Sequence, residues 1–147
     1  MNFTFRIFKI ILLLLVATYA WGQTAGAKNF AVTPQTVIRT NLPKLDSCLF
    51  KLQDILRERF GQNAIVGGMR ASGNSVIELW IDFELEGEGH YILDISAKKL
   101  SIRGTTQKAI LCGLEALDKI LQEETNNTAN KQIAHHRIEN VTDSNCP

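Results

Sequence analysis

Little in this sequence offers ready-made chemistry. Cysteine is scarce, with only Cys48, Cys112 and Cys146, and an odd number describes no disulfide framework. No CxxC or Cys/His spacing suggests zinc. There is no G-x-S-x-G nucleophile motif, no phosphate-binding glycine loop and no internal repeat. An excess of one charge is missing too. The 16 basic and 15 acidic residues leave a formal net charge of +1, so no broad field attracts nucleic acid or an anionic membrane. The uninterrupted apolar run at residues 10–17 falls short of the roughly 20 residues of a spanning helix.

That short run does have a use. Arg6 and Lys9 precede it, and the small residues Ala20 and Gly22 follow. This is the order of a secretory signal peptide. Cleavage is expected after Gly22, with Ala20 as the alternative, giving a secreted or periplasmic chain with no membrane association afterwards. Loss of Arg6 and Lys9 leaves one fewer base than acids. The remaining chain is long enough to bury one core without disulfides. The organisation expected is a signal peptide at 1–22, a disordered lead-in at 23–29, a domain at 30–122 and a polar, flexible tail at 123–147.

Within the domain, β-branched runs flank Pro34, which cannot donate to a ladder, so an edge strand or extended arm fits. Leu45, Leu49, Leu52, Leu56 and Phe60 recur at helical spacing. Asn41 is a plausible N-cap and Gly61 a left-handed stop. Residues 63–66 suit a short strand. Then Ile77, Leu79, Ile81, Phe83 and Leu85 alternate with Glu78, Trp80, Asp82, Glu84 and Glu86. Sustained period two predicts a strand with one buried and one wet face, as in antiparallel sheets. Tyr91, Leu93 and Ile95 return after a glycine turn, and Leu100 and Ile102 follow, completing a three-stranded meander. A second helix begins near Thr106, with Ile110, Gly113, Leu114, Leu117, Ile120 and Leu121 as its core stripe. Gly113 costs ~1 kcal/mol relative to alanine there, which implies close approach to a strand or the other helix. The expected class is α+β: a small, mainly antiparallel sheet, including the meander, with two amphipathic helices packed on one face.

Glu88-Gly89-His90-Tyr91-Ile92-Leu93-Asp94-Ile95 is similar to the E-G-Y-x-L-x-I stretch of the non-catalytic domain that precedes the barrel in family 20 glycoside hydrolases, the β-N-acetylhexosaminidases. His90 is an insertion in that pattern. Leu100 to Thr106 resembles the family's v-x-I-x-A-x-S strand, and Ala109 to Leu121 its G-x-f-y-G-x-q-T-L-x-Q-L-l helix. Gly113 and Leu117 match; Ala109 and Ala116 replace a glycine and a threonine. The resemblance implies an α+β domain with two helices on one sheet face. It places the hydrolytic Asp-Glu pair in a following barrel of roughly 250 residues, which the residues after Leu121 are too few to form. No catalytic residue is carried over.

The remaining candidates are read from residue chemistry. Asp82, Glu84, Glu86, Glu88 and Asp94 suit a calcium or sugar site, or a glycosidase carboxylate pair. In-line residues at i, i+2 and i+4 are better read as the solvated face of a sheet, and nothing sets one acidity apart from the next. His135 and His136, with His90 elsewhere, are read as surface residues. Cys112 falls opposite the core stripe of its helix by the 100° rule, whereas Cys48 flanks the other stripe. A Cys48–Cys112 bridge is therefore not expected, while Cys112 with Cys146 is geometrically open. Asn126 and Asn140 begin glycosylation sequons. Trp80 and Ile92 on the polar strand face, and Leu111 and Cys112 on the outer helix face, make a candidate interaction surface. No catalytic residue, metal or cofactor is expected. The partners open to such a chain are a glycosidase catalytic domain or another protein, and carbohydrate. The leading reading is a secreted non-catalytic accessory or scaffold domain linked to carbohydrate metabolism. A glycoside hydrolase fragment lacking its barrel and an unrelated small exported binding protein are the alternatives.

Overall fold

The computed structural model describes residues 29–44, 46–125 and 132–141. The signal segment and the lead-in up to residue 28 lie outside these residues, as do Leu45, Asn126 and Cys146. In chain order the elements are β1 (Phe30–Ala31), β2 (Val37–Thr40), α1 (Ser47–Phe60), β3 (Ile65–Val66), β4 (Val76–Ile81), β5 (His90–Ile95), β6 (Lys99–Gly104), α2 (Gln107–Thr125), β7 (Gln132–Ile133) and β8 (His136–Val141). Among these residues no helix is long and apolar enough to cross a membrane.

Six strands form one sheet in the order β3-β2-β4-β6-β5-β8, and β1 pairs with β7. Pro34 sits in the turn between β1 and β2, closed by Thr36 N–H donating to Thr33 O at 2.9 Å, so its missing amide costs no ladder bond. Ile38, Ile77, Leu79, Leu93, Ile95, Leu100 and Ile102 are fully buried on one face. They meet Leu49, Leu52, Leu56 and Phe60 of α1 and Ile110, Leu114, Leu117 and Leu121 of α2 in one core. The two helices touch through Arg59 Nε donating to Asp118 Oδ1 at 3.0 Å. The α+β class and the placement of both helices on one face are thus as expected.

The strand order departs from the expected meander. β4 pairs with β6 in parallel, Leu79 opposite Ile102, and β5 lies beyond β6, antiparallel to it. β2 pairs in parallel with both β3 and β4, so the six-stranded sheet is mixed. Alternation along β4 reported that one face is dry, not which way its neighbours run. A sheet covered by helices on one side only gives the same pattern in either direction. The tight hairpin is β5–β6, closed by reciprocal bonds between Ser96 and Lys99, whereas residues 82–89 carry the chain past one strand position.

Helix starts show how polar side chains sort themselves. Asp46, not Asn41, caps α1, with Oδ1 accepting from Cys48 N–H at 2.8 Å. Asn41 instead exchanges two bonds with the backbone of Ile81, at 2.8 and 2.9 Å. Its amide mimics a peptide and extends the β2–β4 ladder by one step. Thr106 does cap α2, accepting from Ala109 N–H at 3.1 Å, and Gly61 ends α1 at φ 66°, where L-residues are strained.

The expected flexible tail is ordered over residues 132–141. Ile133 is fully buried, and β8 pairs with β5 from His136 to Val141. Glu124 of α2 accepts from the Ala134 amide at 3.3 Å and contacts His136 Nε2 at 3.0 Å. The segment is too poor in apolar residues to build a core. It needs few, because it closes the open edge of β5 with main-chain bonds.

Cys48 is a buried free thiol, and Cys112 is disulfide-bonded. Cys48 Sγ faces Gln107 O at 3.6 Å. Burial, reinforced by the neighbouring Asp46, pushes the thiol up from 9.0 to about 12. Since the thiolate is the nucleophile, native Cys48 is expected to resist iodoacetamide at pH 8 and to react once the chain is unfolded. Rapid labelling of the native protein at Cys48, read by peptide mass spectrometry, contradicts this placement. Because the folded value is raised, the protonated thiol's contribution to stability is fully present below the unfolded value and is lost as pH rises toward 12.

Candidate functional site

The sheet face away from the helices carries the polar chemistry, arranged in rows by strand register. One row runs Arg39, Glu78, Ser101, Asp94 and Arg137 across β2, β4, β6, β5 and β8. The next runs Trp80, Arg103, Ile92 and Glu139. Period-two alternation sends these residues outward because their neighbours fill the core.

Glu78 is the hub of the first row. Its carboxylate receives Arg39 Nη2, Lys99 Nζ at 3.0 Å and Ser101 Oγ at 3.2 Å. Burial pushes its pKa up, but the hydrogen bonds and charges of Arg39 and Lys99 outweigh that and hold the carboxyl below its ordinary value. A second pair lies beyond Trp80. Arg103 Nη1 donates to Asp82 Oδ2 at 3.0 Å, and Asp82 Oδ1 accepts from Glu84 N–H at 3.0 Å. Trp80 is therefore bracketed along its strand by two pinned charge sets. Arg39, Asn41, Glu78, Trp80, Asp82, Phe83, Glu84 and Arg103 surround an open depression of about 610 Å³.

Phe83 is the member that sequence reasoning missed. The alternation placed it in the core, but β4 ends at Ile81 and Phe83 is 87% exposed. A ten-residue strand was already long against a usual five or six, and the glycines at 87 and 89 marked a turn nearby.

The candidate interaction surface does not form one patch. Trp80 and Ile92 share the open sheet face, while Leu111 and Cys112 are on α2, against the other face. Ile92 is only 6% exposed and Cys112 4%, and Leu111 packs against the core. The burial of Cys112 corrects its expected outward position: α2 is covered on that flank as well. Trp80 alone retains a place in a concavity.

The acidic residues scatter. Asp82 is paired with Arg103, while Glu84, Glu86 and Glu88 are exposed in the β4–β5 connection. Asp94 is two strand positions from Glu78, the nearest member of the first row that lines the depression. No group of three or more His, Cys, Asp or Glu that can hold a metal occurs among the described residues. His90 and His136 are separated as well, each next to a glutamate: Glu139 at 3.4 Å and Glu124 at 3.0 Å. General acid catalysis wants a carboxyl with a raised pKa, and that of Glu78 is lowered.

No protein-family model and no curated protein matches this chain. Solved structures do. A family 20 β-N-acetylhexosaminidase from Streptomyces coelicolor A3(2) superposes on 79% of this chain and 24% of its own, with TM-score 0.62 and 21% identity. A Streptomyces plicatus β-hexosaminidase matches 78% of this chain and 23% of its own, at 0.56 and 20%. A β-N-acetylhexosaminidase from Bacteroides fragilis matches 76% and 21%, at 0.53 and 10%. The chain thus spans about a quarter of the length of these enzymes. The fold that the stretch from Glu88 to Leu121 led us to expect is a fold these glycosidases contain.

Proposed function

We propose that this chain is a secreted, non-catalytic accessory or scaffold domain of the kind that precedes the barrel in family 20 glycoside hydrolases, acting in carbohydrate metabolism. The observation that carries the reading is the fold shared over 79% of this chain with only 24% of the Streptomyces coelicolor enzyme. The state of the carboxylates supports it: Glu78 is held ionised by Arg39 and Lys99, which suits a structural acceptor and not a proton donor. The purified chain, incubated with 4-nitrophenyl N-acetyl-β-D-glucosaminide between pH 4 and 8, is expected to release no nitrophenol above the blank. Turnover that disappears in Asp82→Asn or Glu84→Gln overturns the reading.

A second reading, that the chain is one part of a glycoside hydrolase completed by a barrel, is favoured by the same coverage of about a quarter. An uninterrupted barrel coding sequence downstream of Pro147 selects it over the free-standing domain. Under either reading a glycosidase catalytic domain or another protein is the natural partner.

A further inference from the structure

We propose that the depression around Trp80 and Phe83 is a binding site for a neutral carbohydrate. This goes beyond the accessory reading, which requires no ligand. Four features of the site carry it. It is concave, about 610 Å³, the scale of a small-ligand site. It contains two aromatic rings, one half-buried in the sheet and one projecting with 87% of its surface in water. An exposed phenylalanine beside a tryptophan is an apolar surface that a flat ligand face can cover.

The charges around the rings select the ligand class. Arg39 and Arg103 stand against Glu78, Asp82 and Glu84, with Lys99 bonded to Glu78 from outside the rim. Positive and negative groups therefore balance, three against three. An anion such as a nucleic acid backbone meets as much repulsion as attraction, and so does a cation. A neutral polyol instead uses both signs, giving hydroxyl protons to carboxylates and taking N–H bonds from guanidinium groups. Each guanidinium has five N–H donors, of which Arg103 spends one on Asp82.

The polar groups are also held in place before any ligand arrives. Glu78 is fixed by three donors, Asp82 by Arg103 and the Glu84 amide, and Asn41 by both backbone groups of Ile81. Side chains already ordered lose little rotamer freedom on binding.

The test is isothermal titration of the full chain with three probes: triacetylchitotriose, cellotriose and, as the anionic arm, trigalacturonate. Saturable binding of at least one neutral trisaccharide is expected, stronger than that of trigalacturonate. Phe83→Ala, at a position too exposed to support the fold, is expected to leave the thermal midpoint unchanged and to weaken binding about fivefold. Trp80→Ala is expected to weaken it about tenfold, the loss typical of a truncated anchor. If Trp80→Ala does not fold, Phe83→Ala decides. The proposal is overturned by the absence of saturable binding to either neutral probe up to about 10 mM, an affinity range already weak for a specific site. Preferred binding of trigalacturonate, or undiminished affinity in Phe83→Ala, overturns it equally. A failure here with no nitrophenol release still leaves the non-catalytic reading standing, so the two are separable.

Discussion

A methyl group placed at Gly113 is expected to destabilise the protein by about 1–3 kcal/mol through overpacking, although alanine favours a helix by ~1 kcal/mol over glycine. A Cβ there lies 2.7 Å from Ile102 Cγ2 and 3.2 Å from Tyr91 Cδ2. Ile102 cannot retreat. It is fully buried on β6, with Leu79 of β4 on one side and Leu93 of β5 on the other. Ile102→Ala alone is expected to cost about 2–5 kcal/mol, from lost transfer energy and the cavity left behind. The two changes concern the same space, so they must couple. In the Ile102→Ala background the obstructing methyl is gone, and Gly113→Ala is expected to become at least about 1 kcal/mol less harmful. Urea unfolding of the four members of this cycle measures the coupling. Additivity within about 0.5 kcal/mol shows that helix α2 does not touch the sheet at this point.

The second large effect is expected at Glu78. Glu78→Ala removes the carboxylate between Arg39 and Lys99, leaving two cations facing one another and Ser101 Oγ without its acceptor. Breaking a fully buried pair costs about 3–5 kcal/mol. Arg39 is a third exposed and Lys99 nearly half, so water and salt recover part of that, and about 1–3 kcal/mol is expected at pH 7. The acidity of Glu78 gives a second readout. Its folded value is depressed below the ordinary 4.5, so its contribution is fully present above the unfolded value. The contribution is lost as pH falls through the lower folded value. The stability gap between wild type and Glu78→Gln is therefore expected to be widest near neutral pH and to close under acid. A gap independent of pH from 7 down to about 2.5, well below the ordinary carboxylate range, contradicts the pairing.

These effects show where the sequence was informative. Both helices were legible, because Leu49, Leu52, Leu56 and Phe60, and likewise Ile110, Leu114, Leu117 and Leu121, repeat at a spacing that only a helix buries on one side. The close approach at Gly113 was legible too, since a glycine within a core stripe needs compensation. Phe83 was not. It continues a period-two pattern perfectly, and the pattern carries no mark where the ladder stops. Beyond Ile81 one more bond joins Asp82 N–H to Gly104 O, and the chain then turns, Leu85 N–H donating to Asp82 O; where β6 ends beside it is set outside any local window. Trp80 was correctly placed on the polar face, but its surroundings came also from two other strands, β2 and β6.

Taken alone, the sequence determined the class of the fold, the core stripes of its helices, the core-facing sides of β4, β5 and β6, and a likeness to one group of glycosidases. The class and the buried faces depend on side-chain periodicity, which is local, and the likeness on the motif residues between Glu88 and Leu121. Tertiary structure decided the rest: that β6 inserts between β4 and β5, that residues 132–141 close the sheet edge, and that Trp80 and Phe83 line one depression with two pinned ion-pair sets. Each depends on which strand edge satisfies which backbone groups. Main-chain hydrogen-bonding groups are the same for every residue but proline, so which strands pair leaves little trace in the order of the amino acids.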